Sequence, residues 1–180
     1  MDADKHLGEL RPNLSDSSPK VLYPARMVIA FVRHAHAGSR SAWTEDDRDR
    51  PLSEKGRAQA KSLVSLLHSS SVTALISSPY LRCIQTLEPL AEASGIPVTL
   101  DDRLAEDTAF EITLSLLEHL DEGTVLCSHG DVIPATVDAL VRRGLIIDGP
   151  SALKKGSTYL LHREGGRFIR ADYLPPPTIG

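Results

Sequence analysis

An apolar run, Met27-Val28-Ile29-Ala30-Phe31-Val32, stops abruptly on Arg33 and His34, and this stop constrains the fold more than any other feature of the chain. The run is short, bounded and rich in β-branched residues, as expected of a strand buried on both faces in a parallel sheet. Arg33 and His34 then fall at the strand's carboxyl end. Ligands of open α/β sheets bind in the crevice outside those ends, so a cation and a titratable nucleophile placed there define a candidate site.

The chain that follows alternates. Ser53 is placed to cap a helix with Leu63, Leu66 and Leu67 on one face, and Val72 to Ile76 reads as a second strand. Ser77-Ser78-Pro79 ends that strand and starts a helix with Leu81, Ile84, Leu87, Leu90 and Ala91 at helical spacing, which puts Arg82 in the first turn. A third strand over Pro97 to Leu100 leads into the acidic stretch containing Glu106, and a helix follows near Phe110 to Leu120. Gly123 to Cys127 forms a fourth strand running into Ser128-His129-Gly130-Asp131, and the next helix spans Val132 to Arg143. That places His129 beside a helix N-terminus, where backbone N–H groups favour an anion. Ser157 to His162 and Arg167 to Tyr173 read as a structural strand pair joined across Gly165-Gly166. The fold class is therefore α/β, with a mainly parallel central sheet covered by helices on both faces, a three-layer sandwich.

At 180 residues the chain suits one domain with a sizeable core, and 41% hydrophobic and 24% charged residues are ordinary for a globular protein. A net charge of -4 and a pI near 6.0 argue against a nucleic-acid partner. No apolar stretch is long enough to span a bilayer and no leader pattern opens the chain, so no membrane partner and a cytoplasmic location are expected. Cys83 and Cys127 lack metal-type spacing and read as reduced, buried thiols. Residues 1–26, rich in Pro and Ser, read as a mobile arm, 27–174 as the folded domain, and 175–180, opening on three prolines, as a tail.

Arg33, His34, Arg82, Glu106 and His129 thus map to carboxyl ends of strands although they are scattered along the sequence. Two guanidiniums offer forked donors to phosphate oxygens, one histidine can attack, the other can donate to developing charge, and a carboxylic acid can protonate a leaving oxygen. Phosphoryl transfer through a phosphohistidine needs that set, with no cofactor and no metal. The run Glu45 to Arg50 reads mainly as a solvated loop, from which Arg40, Arg48 or Arg50 can meet extra negative charge on a substrate.

Arg33-His34-Ala35, the stretch Leu52 to Ala60, the stretch Ser77 to Thr86, and Ser128-His129-Gly130 resemble the successive motifs of the histidine phosphatase (phosphoglycerate mutase-like) superfamily. Among its members the chain is most similar to the small phosphohistidine phosphatases and to the phosphatase-like domains joined to Nudix hydrolases, although no Nudix box occurs here. The resemblance implies a phosphoglycerate mutase-like fold, a phosphate pocket from Arg33, Arg82 and His129, transient phosphorylation of His34, and a carboxylic general acid. Glu106 is favoured for the acid, with Asp131 as the alternative. Ala35 departs from the family's usual glycine, and its methyl occupies a tight position.

Two other readings stand beside this one. A domain with the same pocket can bind phosphorylated ligands as an adaptor without turning them over. His34 and His36 share a face if the strand continues, so His-Ala-His can also be read as a metal-ligand pair of a metal-dependent hydrolase. The short segment between Glu106 and His129 leaves little chain for a lid, so an open pocket is expected. It suits hydrolysis of a phosphorylated substrate with a large leaving group, a phosphohistidine protein in preference to a nucleotide.

Overall fold

The computed structural model describes residues 28–67, 72–149 and 152–178. The arm expected over residues 1–26, together with His6 and His68, lies outside them. In chain order the elements are β1 (Val28–Arg33), α1 (Glu54–Leu67), β2 (Ala74–Ser77), α2 (Leu81–Ser94), β3 (Val98–Leu100), α3 (Phe110–Glu118), β4 (Thr124–Ser128), α4 (Val132–Arg142), β5 (Ile146–Asp148), β6 (Thr158–Glu164) and β7 (Arg167–Leu174). Short 3-10 turns occupy Arg40–Ala42, Asp47–Asp49 and Asp102–Leu104. Among the described residues no helix is long and apolar enough to cross a membrane.

One seven-stranded sheet has the order β3-β2-β4-β1-β6-β7-β5. β1 pairs in parallel with β4, β4 with β2, and β2 with β3. Only β6 runs against the rest, antiparallel to β1 on one side and to β7 on the other. The sheet is thus mainly parallel, an α/β fold as its alternating sequence pattern predicts.

Alternation along β1 explains the three layers. Ile29 and Phe31 enter a core with Leu114 and Leu117 of α3 and Ile133, Val137 and Leu140 of α4. Ala30 and Val32, facing the other way, enter a core with Leu63 and Leu67 of α1 and Cys83, Leu87 and Leu90 of α2. Each of these larger side chains, when fully buried, contributes roughly 1.5–3 kcal/mol, which holds the strand and fixes where its polar end emerges.

One feature differs from the expectation. β5 is absent from the sequence pattern because three residues, two of them exposed at the sheet's edge, carry no periodic signal. The β6–β7 pair is joined across Gly165-Gly166 as expected. β6 lies directly against β1, and Arg33 N–H donates to Ser157 O just before β6 begins.

Candidate active site

β1 ends at Arg33, and His34 sits one residue beyond it, 5% exposed. Its Nδ1 lies 2.8 Å from the Ala35 carbonyl oxygen. A carbonyl can only accept, so Nδ1 carries the hydrogen and the Nε2 lone pair of the neutral ring is left free. Burial, opposed by that hydrogen bond and reinforced by His129, Arg82 and Arg33, holds the His34 pKa well below the usual 6.5. A neutral, singly oriented imidazole is the form able to attack.

Ala35, the departure from glycine, is fully buried with Ala37, Leu52 and Ala60 in a small apolar cluster, while its N–H donates to Thr86 Oγ1 at 3.0 Å. The methyl therefore has a place in the core and is not among the cavity-lining groups.

Arg82, in the first turn of α2, is completely buried. Its Nη1 donates to Asp47 O at 2.7 Å and pairs with Asp47 Oδ2 at 3.0 Å; Nη2 donates to Glu106 Oε2 at 3.2 Å. The Tyr80 ring centroid lies 4.6 Å from its guanidinium carbon. His129, also completely buried, follows β4, with Nε2 2.8 Å from Ser78 Oγ and Nδ1 3.4 Å from Arg82 Nη2. Its ring meets that of His34 edge-on at 5.4 Å. Among the described residues, the buried Nε atoms of Arg33 and Arg82 have no hydrogen-bond partner. Buried donors of this kind are costly unless an acceptor satisfies them.

A cavity of about 360 Å³ is lined by Arg33, His34, Arg40, Arg50, Glu106, Gly130, Asp131 and Lys155; Arg82 and His129 are not among these and meet it through their contacts with Glu106 and His34. The structure thus brings together all five residues placed at strand ends, and Asp131, Arg40 and Arg50 with them. It does not bring in Arg48, whose guanidinium carbon stands 5.5 Å from the Tyr80 ring centroid. His36 does not join His34 either, because the strand has already ended. Its Nδ1 pairs with Ser53 Oγ at 2.7 Å, and it faces a different cavity. Among the described residues no three His, Cys, Asp or Glu side chains group as metal ligands. The shared strand face that a His34/His36 metal pair requires is not formed.

Glu106 and Asp131 hold different positions. Glu106 spans two guanidiniums, with Oε2 on Arg82 and Oε1 3.5 Å from Arg40 Nη1. Asp131 Oδ2 accepts from the Asp107 N–H at 2.7 Å, where Asp107 has φ 65°, and so braces the turn that carries Glu106.

Sequence reasoning missed Asp47 and Lys155. Asp47 lies in a charge run that looks solvated, yet it turns inward to Arg82 and takes a 2.7 Å bond from Arg50 Nε, which with Arg82 and Arg40 lowers its pKa despite partial burial. Arg50 is itself 6% exposed and donates to Ala37 O at 2.7 Å. The inward turn follows from the buried Arg82, which needs acceptors there. Lys155 comes from the turn before β6, and burial together with Arg50, Arg33 and Arg82 lowers its pKa. Its only sequence signal was a lysine pair ahead of a glycine.

The family model for the histidine phosphatase superfamily (branch 1) matches residues 29–112. An 8-oxo-(d)GTP phosphatase of Mycolicibacterium smegmatis is 36% identical over 83% of this chain and 48% of its own length. The solved structure of a proposed phosphohistidine phosphatase SixA from Agrobacterium tumefaciens superposes with a TM-score of 0.68 at 27% identity, covering 83% of this chain and 99% of that one. The chain belongs to the histidine phosphatase superfamily. A mycobacterial glucosyl-3-phosphoglycerate phosphatase shares the fold, with a TM-score of 0.64 at 18% identity over 84% of this chain and all of that one. This chain spans about half the length of the Mycolicibacterium relative.

Proposed function

We propose that the chain is a metal-independent phosphatase in which His34 is the nucleophile. The observation that carries the reading is the free Nε2 of a neutral His34 set beside two guanidiniums whose buried Nε–H donors have no acceptor among the described residues. Nε2 attacks phosphorus as the ester P–O bond breaks, and Glu106 in its acid form gives its proton to the departing oxygen. Water then attacks phosphorus, the P–N bond breaks, and the Glu106 carboxylate takes the water's proton as inorganic phosphate leaves. Arg33 and Arg82 donate to the non-bridging oxygens, and His129, edge-on to His34, stands beside them where charge develops. With Nδ1 committed to Ala35, the phosphoryl group is carried on Nε2.

For the substrate, the 36% identity to a relative named for 8-oxo-(d)GTP and the excess of cations at the cavity support a nucleotide-type phosphate. A phosphohistidine protein, preferred on sequence alone, is the second reading and rests on the likeness to the SixA structure. Wild type and His34→Ala are assayed with excess chelator on a phosphohistidine protein, nucleoside di- and triphosphates, and phosphoglycerates. Turnover that survives chelation and vanishes in His34→Ala, with acid-labile phosphate trapped on the wild type, fits the mechanism. Binding without turnover supports the adaptor, and loss on chelation restored by zinc supports metal chemistry.

A further inference from the structure

A second cavity of about 440 Å³ adjoins the first and shares Lys155 with it. Its walls are His36, Lys55, Gln59, Lys154, Lys155 and the Pro176-Pro177 segment, with no acidic residue among them. Among the described residues no carboxylate lies within ion-pair distance of Lys55, Lys154 or Lys155. Three lysines lining one concavity with no acidic residue among its walls favour an anion there.

The wall between the two cavities is built, not incidental. Gln59 is 6% exposed; its Oε1 accepts from His36 N–H at 3.0 Å and its Nε2 donates to Lys155 O at 3.3 Å. One buried amide therefore ties the segment leaving His34 to the turn carrying Lys155. Gly56 lets α1 approach this segment, since a Cβ there would stand 2.0 Å from His36 O. Lys155 feels Arg50, Arg33 and Arg82 of the first cavity, while His36 feels Lys155 and Lys55 of the second. Lys155 thus lies in the field of both.

We infer that Lys55, Lys154 and Lys155 form a second anion subsite, which takes another phosphate of the same substrate molecule whose reacting phosphate lies at His34. The inference rests on the phosphatase reading and narrows its substrate to phosphoesters or anhydrides carrying at least two phosphates. A ligand bridging the cavities satisfies Lys155 from both sides, whereas a monophosphate leaves the second group of cations unmatched.

Calorimetry with inorganic phosphate and inorganic tripolyphosphate tests this on wild type and on Lys55→Gln/Lys154→Gln, with circular dichroism as the check on folding. Expected are one tripolyphosphate per chain, an affinity for it about tenfold weaker in the double variant, and inorganic phosphate binding within twofold of wild type. Equal weakening of both anions, no change in either, or two tripolyphosphates bound independently overturns the subsite. A nucleoside diphosphate that responds as tripolyphosphate does, while the monophosphate does not, identifies the second phosphate of a nucleotide as the group bound. Aryl phosphate hydrolysis by wild type tests the parent reading separately. Hydrolysis without a tripolyphosphate effect removes the subsite alone, and the effect without hydrolysis removes the phosphatase alone.

Discussion

The Arg33 guanidinium lies flat against the backbone of Gly130: a Cβ added at residue 130 would stand 2.5 Å from Arg33 Nη2 and 2.6 Å from Cζ. Any side chain there displaces the guanidinium from its place beside His34. Gly130→Ala is expected to raise KM and lower kcat together, reducing kcat/KM about tenfold to a hundredfold, because the lost donor serves bound and transition states alike. Thermal unfolding should change little, since Arg33 is only half-buried and its side chain can move toward solvent. Unaltered kinetics in this variant would mean that Arg33 does not meet the substrate.

The depressed pKa of His34 fixes the sign of two pH effects. Attack needs the neutral ring, so the acidic limb of kcat/KM assigned to His34 should fall well below pH 6.5. Stability moves the same way: above about pH 6.5 the residue is neutral folded or unfolded and contributes no slope. As pH falls below that value the unfolded chain takes up a proton that the folded chain refuses, and stability is lost until the folded pKa is reached. Denaturant titrations of wild type and His34→Gln between pH 7.5 and roughly 4.5 should show the slope shrink in the variant.

Arg82→Ala removes a fully buried cation on which Asp47 and Glu106 converge. Both acids keep some contact with water, so the cost should lie near the lower end for breaking a buried pair, about 3 kcal/mol, and activity should fall at least a thousandfold. Adding Asp47→Asn should restore part of the stability and none of the activity. A double variant no more stable than the single one would show that the ion pair does not hold the 47–50 turn.

The two acids separate by leaving group. Glu106→Gln should slow hydrolysis of alkyl phosphates strongly and of an activated aryl phosphate little, because a good leaving group needs no proton. Asp131→Asn retains an oxygen for the Asp107 N–H and should stay near wild type on both, whereas Asp131→Ala frees the Glu106 turn and should resemble a mild Glu106 defect. If Asp131→Asn shows the leaving-group dependence and Glu106→Gln does not, the roles are reversed.

Gly56 offers a structural test with an opposite helix-propensity expectation. Inside a helix, Gly→Ala ordinarily gains about 1 kcal/mol. Here the new Cβ would stand 2.0 Å from the His36 carbonyl oxygen, a backbone atom held by the N–H and Oγ of Ser53, the residue just ahead of α1. Gly56→Ala should therefore destabilise by roughly 2 kcal/mol in chemical denaturation, as overpacking does.

The residues that read clearly from sequence were those at the ends of strong periodic signals. The apolar run of β1 ends at Arg33, and the helical spacing after Pro79 locates Arg82. The fully buried TVLCS strand delivers His129 to the same edge. What did not read were residues whose position depends on a partner far away in the chain. Asp47 looks like a solvated loop acid until Arg82 is known to be buried beside it. Lys155 looks like a turn lysine until Gln59 ties its carbonyl to the wall. Arg48 and Arg50 look equivalent in sequence, and only packing sends one to Tyr80 and the other into the cavity.

The strand order has a consequence for how the chain acquires its shape. β1 comes first, but its neighbours are β4, through Ala30 and Val125, and β6, through Ala30 and Leu160. The strand that leads into His34 therefore stays without either ladder partner until residues 124–128 have been made, and its second flank is covered only once residues 158–164 follow. Contacts so distant along the chain must close large loops before they are rewarded, which slows folding and leaves an apolar ribbon exposed on the nascent polypeptide. Synthesis from the ribosome should thus leave this sheet incomplete until the hairpin of β6 and β7 has emerged.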